Sequence, residues 1–278
     1  MNGRSTLYNA CDTTALFIIG HEHYARLSGS KLARDQRPHI EAAVGYISTH
    51  LFDDIFVEDP RLSGADHFAL KVTYWKDSEI AQREGGVPEY PVAYFLSHVM
   101  NMAALRSASI LLDDNSLEGI AERMAGQLHR FYNPLHRKYN IAIDARGTIE
   151  GTSSDPLHAL FYLRQDDLSP EELAAIVSTA PELETPVGYL TLSQRMRRQV
   201  RDQYHASTVW PFEQAIINIG ARKFGLPTIE EVSRRVTEHL SMDPEIFIVD
   251  EKGIRPSGCD PQLWTIAAKK YFARDREE

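Results

Sequence analysis

"PVAYFLSHVMNMAALRSASILL", residues 91–112, followed by "SLEGIAERMAGQLHRFY", residues 116–132, decides the fold class. The first stretch is apolar almost all round, whereas the second keeps Leu117, Ile120, Met124 and Leu128 on one face. A helix apolar on every side belongs inside, and an amphipathic one covers it. The pair therefore predicts an inner and an outer helical layer. Helical spacing recurs upstream: Leu7, Ala10, Cys11, Thr14, Ala15, Ile18 and Ile19 mark a helix over 5–27, ended by Gly20 or by Ser28 and Gly29. Pro38 opens a second, with Ile40, Val44, Ile47 and Leu51 as its stripe. After a long connection over roughly 53–87, further helices are expected at 156–164, 169–179, 190–203, 211–223, 228–240 and 261–273.

Strand signals are few. "YNIAIDARGTIEG" alternates like a short hairpin turning at Asp144 to Gly147, and "EIFIVDEKGIRP" carries another candidate. The expected fold class is mainly α, built from helical hairpins whose long loops carry the unusual residues. No Pro- or Ser-rich linker and no repeat divides the chain, so residues 1–278 are read as one domain.

The bulk numbers narrow the partners. With 39 acidic and 30 basic residues the formal charge is −9, which repels phosphate backbones and anionic membrane surfaces, so neither nucleic acid nor membrane is expected. The basic run Arg195, Arg197, Arg198 and Arg201 reads first as a solvated helix face. The N-terminal apolar run is too short and interrupted for a signal or membrane span, and two distant cysteines, Cys11 and Cys259, make no disulfide framework. A cytoplasmic protein is expected. Cys259 has no base beside it in sequence and reads as a packed structural thiol.

Three stretches carry candidate chemistry. In "ALKVTYWKDSEI", 69–80, Tyr74 and Trp75 lead into Lys76, Asp77 and Glu79, the look of a pocket wall holding an acid. In "SMDPEIFIVDEKGIRPSGCDPQLWTIAA", Glu245 precedes an apolar strand with Trp264 near. In "DQYHASTVWPFEQAI", Tyr204, His205 and Trp210 precede a helix opened by Pro211, with Phe212, Ile216 and Ile219 as its expected inner face. Rings that stack on sugar C–H surfaces, with His and carboxylates on the hydroxyls, make a carbohydrate pocket, and Tyr74, Trp75, Trp210 and Trp264 would furnish one. The bland alternative is that these rings fill a helical core. His21 and His23 flank Glu22 but do not converge on a helix, so no metal site is expected, and no cofactor motif is found.

Taken in order, "YNACDTTALFIIG", "YWKDSEI", "PEYPVAYFLSHVMNMA", "SSDPLHAL", "YHASTVWPFEQAI", "PEIF" and "GCDPQLWTIAA" resemble the C-terminal, amylo-α-1,6-glucosidase-like part of glycogen debranching enzymes and related six-hairpin glycosidases. The resemblance implies an (α/α)6 toroid and an inverting hydrolase of an α-glucosidic bond in a small glucoside or oligosaccharide. It makes Asp77 the general acid and Glu245 the general base. It places Trp75, His158, Tyr204, His205, Trp210 and Gln262 around the sugar, with Asn9 and Asp12 near the pocket; Tyr74, Lys76 and Trp264 complete the expected substrate-binding set. For inversion the two carboxyls should stand roughly 6.5 to 9.5 Å apart, and Asp77 should be desolvated by Tyr74 and Trp75 or raised by Glu79. Ala206 and Ser207 stand where the family carries Asn-Gly. The family's upstream hairpins have no counterpart before Met1, so a reduced toroid, a fragment of a larger debranching-type enzyme, or a ring completed by another chain or a second copy is expected. The rival class is a noncatalytic carbohydrate-binding or scaffold protein.

Overall fold

The computed structural model describes residues 10–64, 70–80 and 87–274. The chain gathers into two compact units, Met1–Ser78 with Val87–Tyr132 and Ala142–Ile149, and Glu79–Gly86 with Asn133–Ile141 and Glu150–Glu278.

The first unit is built around α4 (Phe95–Leu112), which packs against α1 (Thr13–Ser28), α3 (Arg37–Thr49) and α5 (Asn115–Ala125). Helix α1 buries Ala15, Ile18 and Ile19 and runs past Gly20 to Gly29, whose left-handed φ of 65° lets its N–H reach the Ala25 carbonyl. After the short turn α2 (Leu32–Asp35), α3 carries Pro38 in its first turn and buries Ile40, Ala43 and Ile47. Asp114 caps α5 by accepting from the Ser116 N–H, and Leu117, Ala121 and Met124 form its inner face. Helix α4 is long and apolar enough to cross a membrane, yet 78% of that window is buried inside the chain, as expected of an inner-layer helix.

The helix expected from Pro91 begins only at Phe95. Val92–Tyr94 is a strand paired antiparallel with Ala142–Asp144, which continues through the expected hairpin to Gly147–Ile149. Pro91 has no N–H to give a helix, and the ladder satisfies the following backbone groups instead.

His98, on α4, holds three elements together. The Phe56 N–H donates to its Nδ1 at 3.1 Å, so Nε2 carries the proton and donates to the Met124 carbonyl at 3.0 Å. Burial pushes this imidazole from its ordinary 6.5 down to about 4, the Met124 bond opposing the shift.

In the second unit, α6 (Asp155–Ala159), α7 (Pro170–Val177), α8 (Ala180–Leu183) and α9 (Gln194–Arg197) are short, while α10 (Pro211–Phe224), α11 (Pro227–Arg234) and α12 (Leu263–Arg274) are longer. Helix α10 packs on α11, α12 and α6. At Gly220 a Cβ would lie 2.8 Å from the Phe161 nitrogen and from the Leu160 Cβ, so this helix approaches the end of α6 backbone to backbone. A three-stranded antiparallel sheet, ordered Thr208–Val209, Ile246–Asp250 and Gly253–Ser257, carries the chain toward α12.

Two expectations for this unit are corrected. The helix read over 190–203 shrinks to α9, because Ser193 caps it while Thr191 and Ser193 give their N–H groups to the Thr208 and Thr152 carbonyls. The inner face of α10 is not Phe212, Ile216 and Ile219, all half-buried; its buried residues include Glu213, Gln214, Ile217, Asn218 and Gly220. Buried hydrogen bonds, described below, turn the polar residues inward.

Because the unfolded chain binds a proton at His98 between pH 4 and 6.5 and the folded chain does not, this group's stabilisation is complete above pH 6.5 and falls as pH drops toward 4, by about 3 kcal/mol in all. In urea titrations the stability gap between wild type and His98→Gln should be widest above pH 6.5 and narrow toward pH 4. A gap independent of pH would refute the assignment.

Candidate active site

Glu245 immediately precedes the Ile246–Asp250 strand and faces the turn that leads from the sheet into α12. Its backbone N–H donates to the Cys259 carbonyl at 2.9 Å, and the Cys259 N–H returns to Glu245 Oε2 at 3.0 Å. The Gln262 amide donates to Oε1 at 3.3 Å. Both carboxylate oxygens are thus held by N–H donors while the side chain stays half-buried, partly open to solvent. Gly258 makes this fit possible: its φ is 77°, and a Cβ there would stand 2.3 Å from Oε2 and 2.7 Å from the Glu245 Cβ. Below the carboxylate, Thr265 Oγ1 donates to the Pro244 carbonyl at 2.6 Å and Lys269 meets Asp243 at 2.7 Å, tying α12 to the turn.

Two residues beyond Gln262, Trp264 is 51% exposed. Its ring meets Phe212 edge-on at 4.9 Å, and Phe212 meets Trp210 at 5.9 Å. Trp210 is stacked flat on His205, 4.9 Å between centroids at 4°, with Tyr204 edge-on to both. His158 closes the series 6.4 Å from Phe212. The expected residues His158, Tyr204, His205, Trp210 and Trp264 therefore form one continuous run of rings, with Phe212 as its hub. Exposure differs along it. Tyr204 and Trp264 show faces to solvent, whereas His205 and Trp210 are buried, the indole N–H donating to Thr208 Oγ1 at 3.1 Å.

Behind this run lies Glu213, without solvent exposure and absent from the residues expected by sequence. The Ser154 hydroxyl donates to its Oε1 at 2.5 Å, and His158 Nδ1 lies 3.4 Å from the same oxygen. The available signal was its place in "VWPFEQ": the third residue of a Pro-started helix is favourable for a carboxylate next to the positive end of the helix dipole.

The 73–78 segment belongs to the first unit. The Cys11 N–H donates to the Thr73 carbonyl at 2.8 Å, and Asp12 beside it is buried. Burial pushes the Cys11 thiol well up, with Glu58 and Asp12 adding to the effect. Tyr74 is 2% exposed and stacked on Tyr94 at 4.5 Å, a core ring here rather than a surface one. Lys76 is fully buried, its ammonium 4.8 Å from the centroid of half-buried Trp75. Asp77 is exposed, so the desolvation expected for it is not found: the Trp75 ring engages Lys76. Glu79, expected to act on Asp77, accepts the Arg201 N–H at 2.6 Å. Asp77 falls in the first unit and Glu245 in the second. Asn9 lies outside the described residues.

Cys259 corrects another expectation. It is exposed, because its N–H and carbonyl are both committed to Glu245 in a turn at the surface, and no core forms around the thiol. Among the described residues no group of His, Cys, Asp or Glu is placed to hold a metal. A groove of about 850 Å³ lined by Thr185, Glu231, Arg235 and Glu238 shares none of these residues, and its Arg235 is engaged with Glu184 at 2.8 Å.

No family model matches the chain, and no curated relative does. Solved structures do. A GH63 mannosylglycerate hydrolase from Thermus thermophilus, in complex with glucose, superposes with a TM-score of 0.55 at 15% identity over 66% of this chain and 45% of its own. Neutral trehalase from Saccharomyces cerevisiae gives 0.53 at 12% identity over 66% and 38%. A D-mannose isomerase gives 0.58 at 10% identity over 96% and 72%. The chain spans less than half the length of the two hydrolases. At such identities the likeness speaks to fold. That fold is mainly α, like that of these neighbours.

Gly258→Ala should push the Glu245 carboxylate from its donors and strain the backbone, at a cost of about 1 to 3 kcal/mol. Chemical denaturation measures this. Stability within a few tenths of a kcal/mol of wild type would contradict the close approach.

Proposed function

We propose that this chain is a carbohydrate-active enzyme, a glycoside hydrolase whose substrate is a small glucoside or oligosaccharide with an α-glucosidic bond. The observation that carries the reading is the Glu245 carboxylate, part-exposed and bonded by the Cys259 N–H and the Gln262 amide, with Gln262 two residues before the exposed ring of Trp264. A carboxylate held in place by N–H donors still has lone pairs with which to position water, and an open ring beside one suits the apolar face of a sugar. The hydrolases among its structural neighbours support the same class.

The motif resemblance supplies the finer proposal. Asp77 is the general acid that protonates the leaving oxygen, Glu245 is the general base that takes a proton from the attacking water, and the anomeric configuration inverts. Exposed Asp77 requires substrate to exclude water from it, since a carboxyl left in bulk solvent is a poor proton donor at neutral pH. Tyr204, Trp264 and Gln262 are the proposed contacts of the sugar beside Glu245.

A second reading has its own support: D-mannose isomerase covers almost the whole of this chain, and an isomerase moves protons on a free sugar without cleaving a glycosidic bond. The two part on product. Incubation with p-nitrophenyl α-glucoside and a panel of α-linked glucose disaccharides, followed by proton NMR, should show release of free β-glucose. Conversion of a free aldose to its ketose, with no glycoside cleaved, would establish the isomerase instead; sugar binding without either change would leave a binding protein. Asp77→Asn and Glu245→Gln should each lower kcat by about 10² to 10⁴-fold. Full activity in either variant would remove that residue from the mechanism.

A further inference from the structure

Glu213 is fully buried, at the third position of α10. A carboxylate taken out of water carries a penalty of several kcal/mol unless its oxygens are well bonded. Here the bonding is lopsided. Ser154 and His158 both face Oε1, while Oε2 has no hydrogen-bond partner among the described residues. The next residue shows what a purely architectural side chain does at this depth: Gln214 accepts the Tyr189 N–H at 2.8 Å and donates to the Tyr189 carbonyl at 3.0 Å, leaving neither end of its amide over. Glu213 could have been replaced by such an amide without loss of its Ser154 bond. What the carboxylate adds is an acceptor that cannot turn into a donor.

We infer that Glu213 is a positioning residue for His158. A carboxylate oxygen facing Nδ1 requires the proton on Nδ1, which in the neutral imidazole leaves the lone pair on Nε2. The α10 N-terminus favours the negative charge, and Ser154, immediately before α6, fixes the oxygen from the other side. His158 is also bound to α6 through its own N–H, which donates to the Ser154 carbonyl at 2.9 Å. Its ring is parallel to Tyr162 at 16° and edge-on to Phe212, the hub of the aromatic run. The ring's plane and its tautomer are thus both set. In the neutral ring the Nε2 lone pair is an acceptor of fixed direction for a sugar hydroxyl that reaches this imidazole, only 3% exposed in the protein alone, and it discriminates among hydroxyls by their orientation. This last step rests on the carbohydrate reading above; the tautomer lock does not.

Two variants of similar length separate the roles. Glu213→Met removes every acceptor, and Glu213→Gln keeps one. In protein labelled with ¹⁵N-histidine, long-range proton–nitrogen spectra should show His158 as the Nδ1–H tautomer in wild type and in Glu213→Gln, and should lose that tautomer in Glu213→Met. With p-nitrophenyl α-glucoside, KM should rise up to about tenfold in Glu213→Met, the worth of one hydrogen bond, with kcat within about twofold, and Glu213→Gln should restore it. An Nε2–H tautomer in wild type overturns the inference even if Glu213→Met does not fold. So does an Nδ1–H tautomer that survives in Glu213→Met. A lost tautomer with unchanged KM would make the lock architectural only. If no variant, nor wild type, cleaves any glycoside while the tautomers behave as stated, the carbohydrate reading fails and the lock stands.

Discussion

The polar face that α10 turns inward is the constraint on which the second unit depends. Glu213, Gln214 and Asn218 are all buried, and each reaches a different part of the structure. Glu213 meets α6 through Ser154 and His158, Gln214 meets the Gly188–Tyr189 strand, and Asn218 donates to the Glu230 carbonyl of α11 at 2.8 Å and accepts from Tyr271 of α12. Apolar packing would allow these neighbours to slide along the helix. Directional bonds at depth do not, because a mismatched polar group left dry is worth more than a lost contact. The aromatic run and the Glu245 turn are both attached to elements that α10 registers in this way.

The surroundings of Glu245 combine rigid backbone with open side chains. Gln262 and Trp264 lie at the start of α12 and Glu245 is bonded to the turn before it; none of the three side chains is buried. In the first unit, taken by itself, Tyr74 and Lys76 are buried and Asp77, directly after them, is exposed. Functional groups placed on well-bonded backbone retain their direction while staying accessible, which is what a site on loops needs from the helices beneath it.

Much of this was legible in the residues. The all-apolar 95–112 and amphipathic 115–125 helices, the 142–149 hairpin and the 246–257 strands follow from period and turn chemistry, because in them burial and hydrophobicity coincide. Where they diverge, the reading fails. Hydrophobic spacing put Phe212, Ile216 and Ile219 inside α10, while hydrogen-bond partners far along the chain, at 154, 189 and 230, drew polar residues there instead. Nothing local to 211–224 encodes those partners. The same holds for Val92–Tyr94, helical by period but claimed by a strand fifty residues on, and for Cys259, whose exposure follows from backbone bonds to Glu245. Of the candidate site, the ring residues and Glu245 could be named from motif and composition; Glu213 could not, since a carboxylate in a helix reads as solvated until its neighbours in space are known.

The clamp between Gln214 and Tyr189 reproduces with a side chain the paired N–H and carbonyl exchange of a β-ladder. Gly188, with φ of 132° and no room for a Cβ against the Gln214 amide, lets the strand come that close. The join between helix and hairpin therefore has the stiffness of a sheet across it and little of the slip of a greasy interface. A displacement of α10 along its axis would have to carry the 184–189 hairpin as cargo, so thermal motion in this part of the molecule should be concerted and slow instead of local and fast.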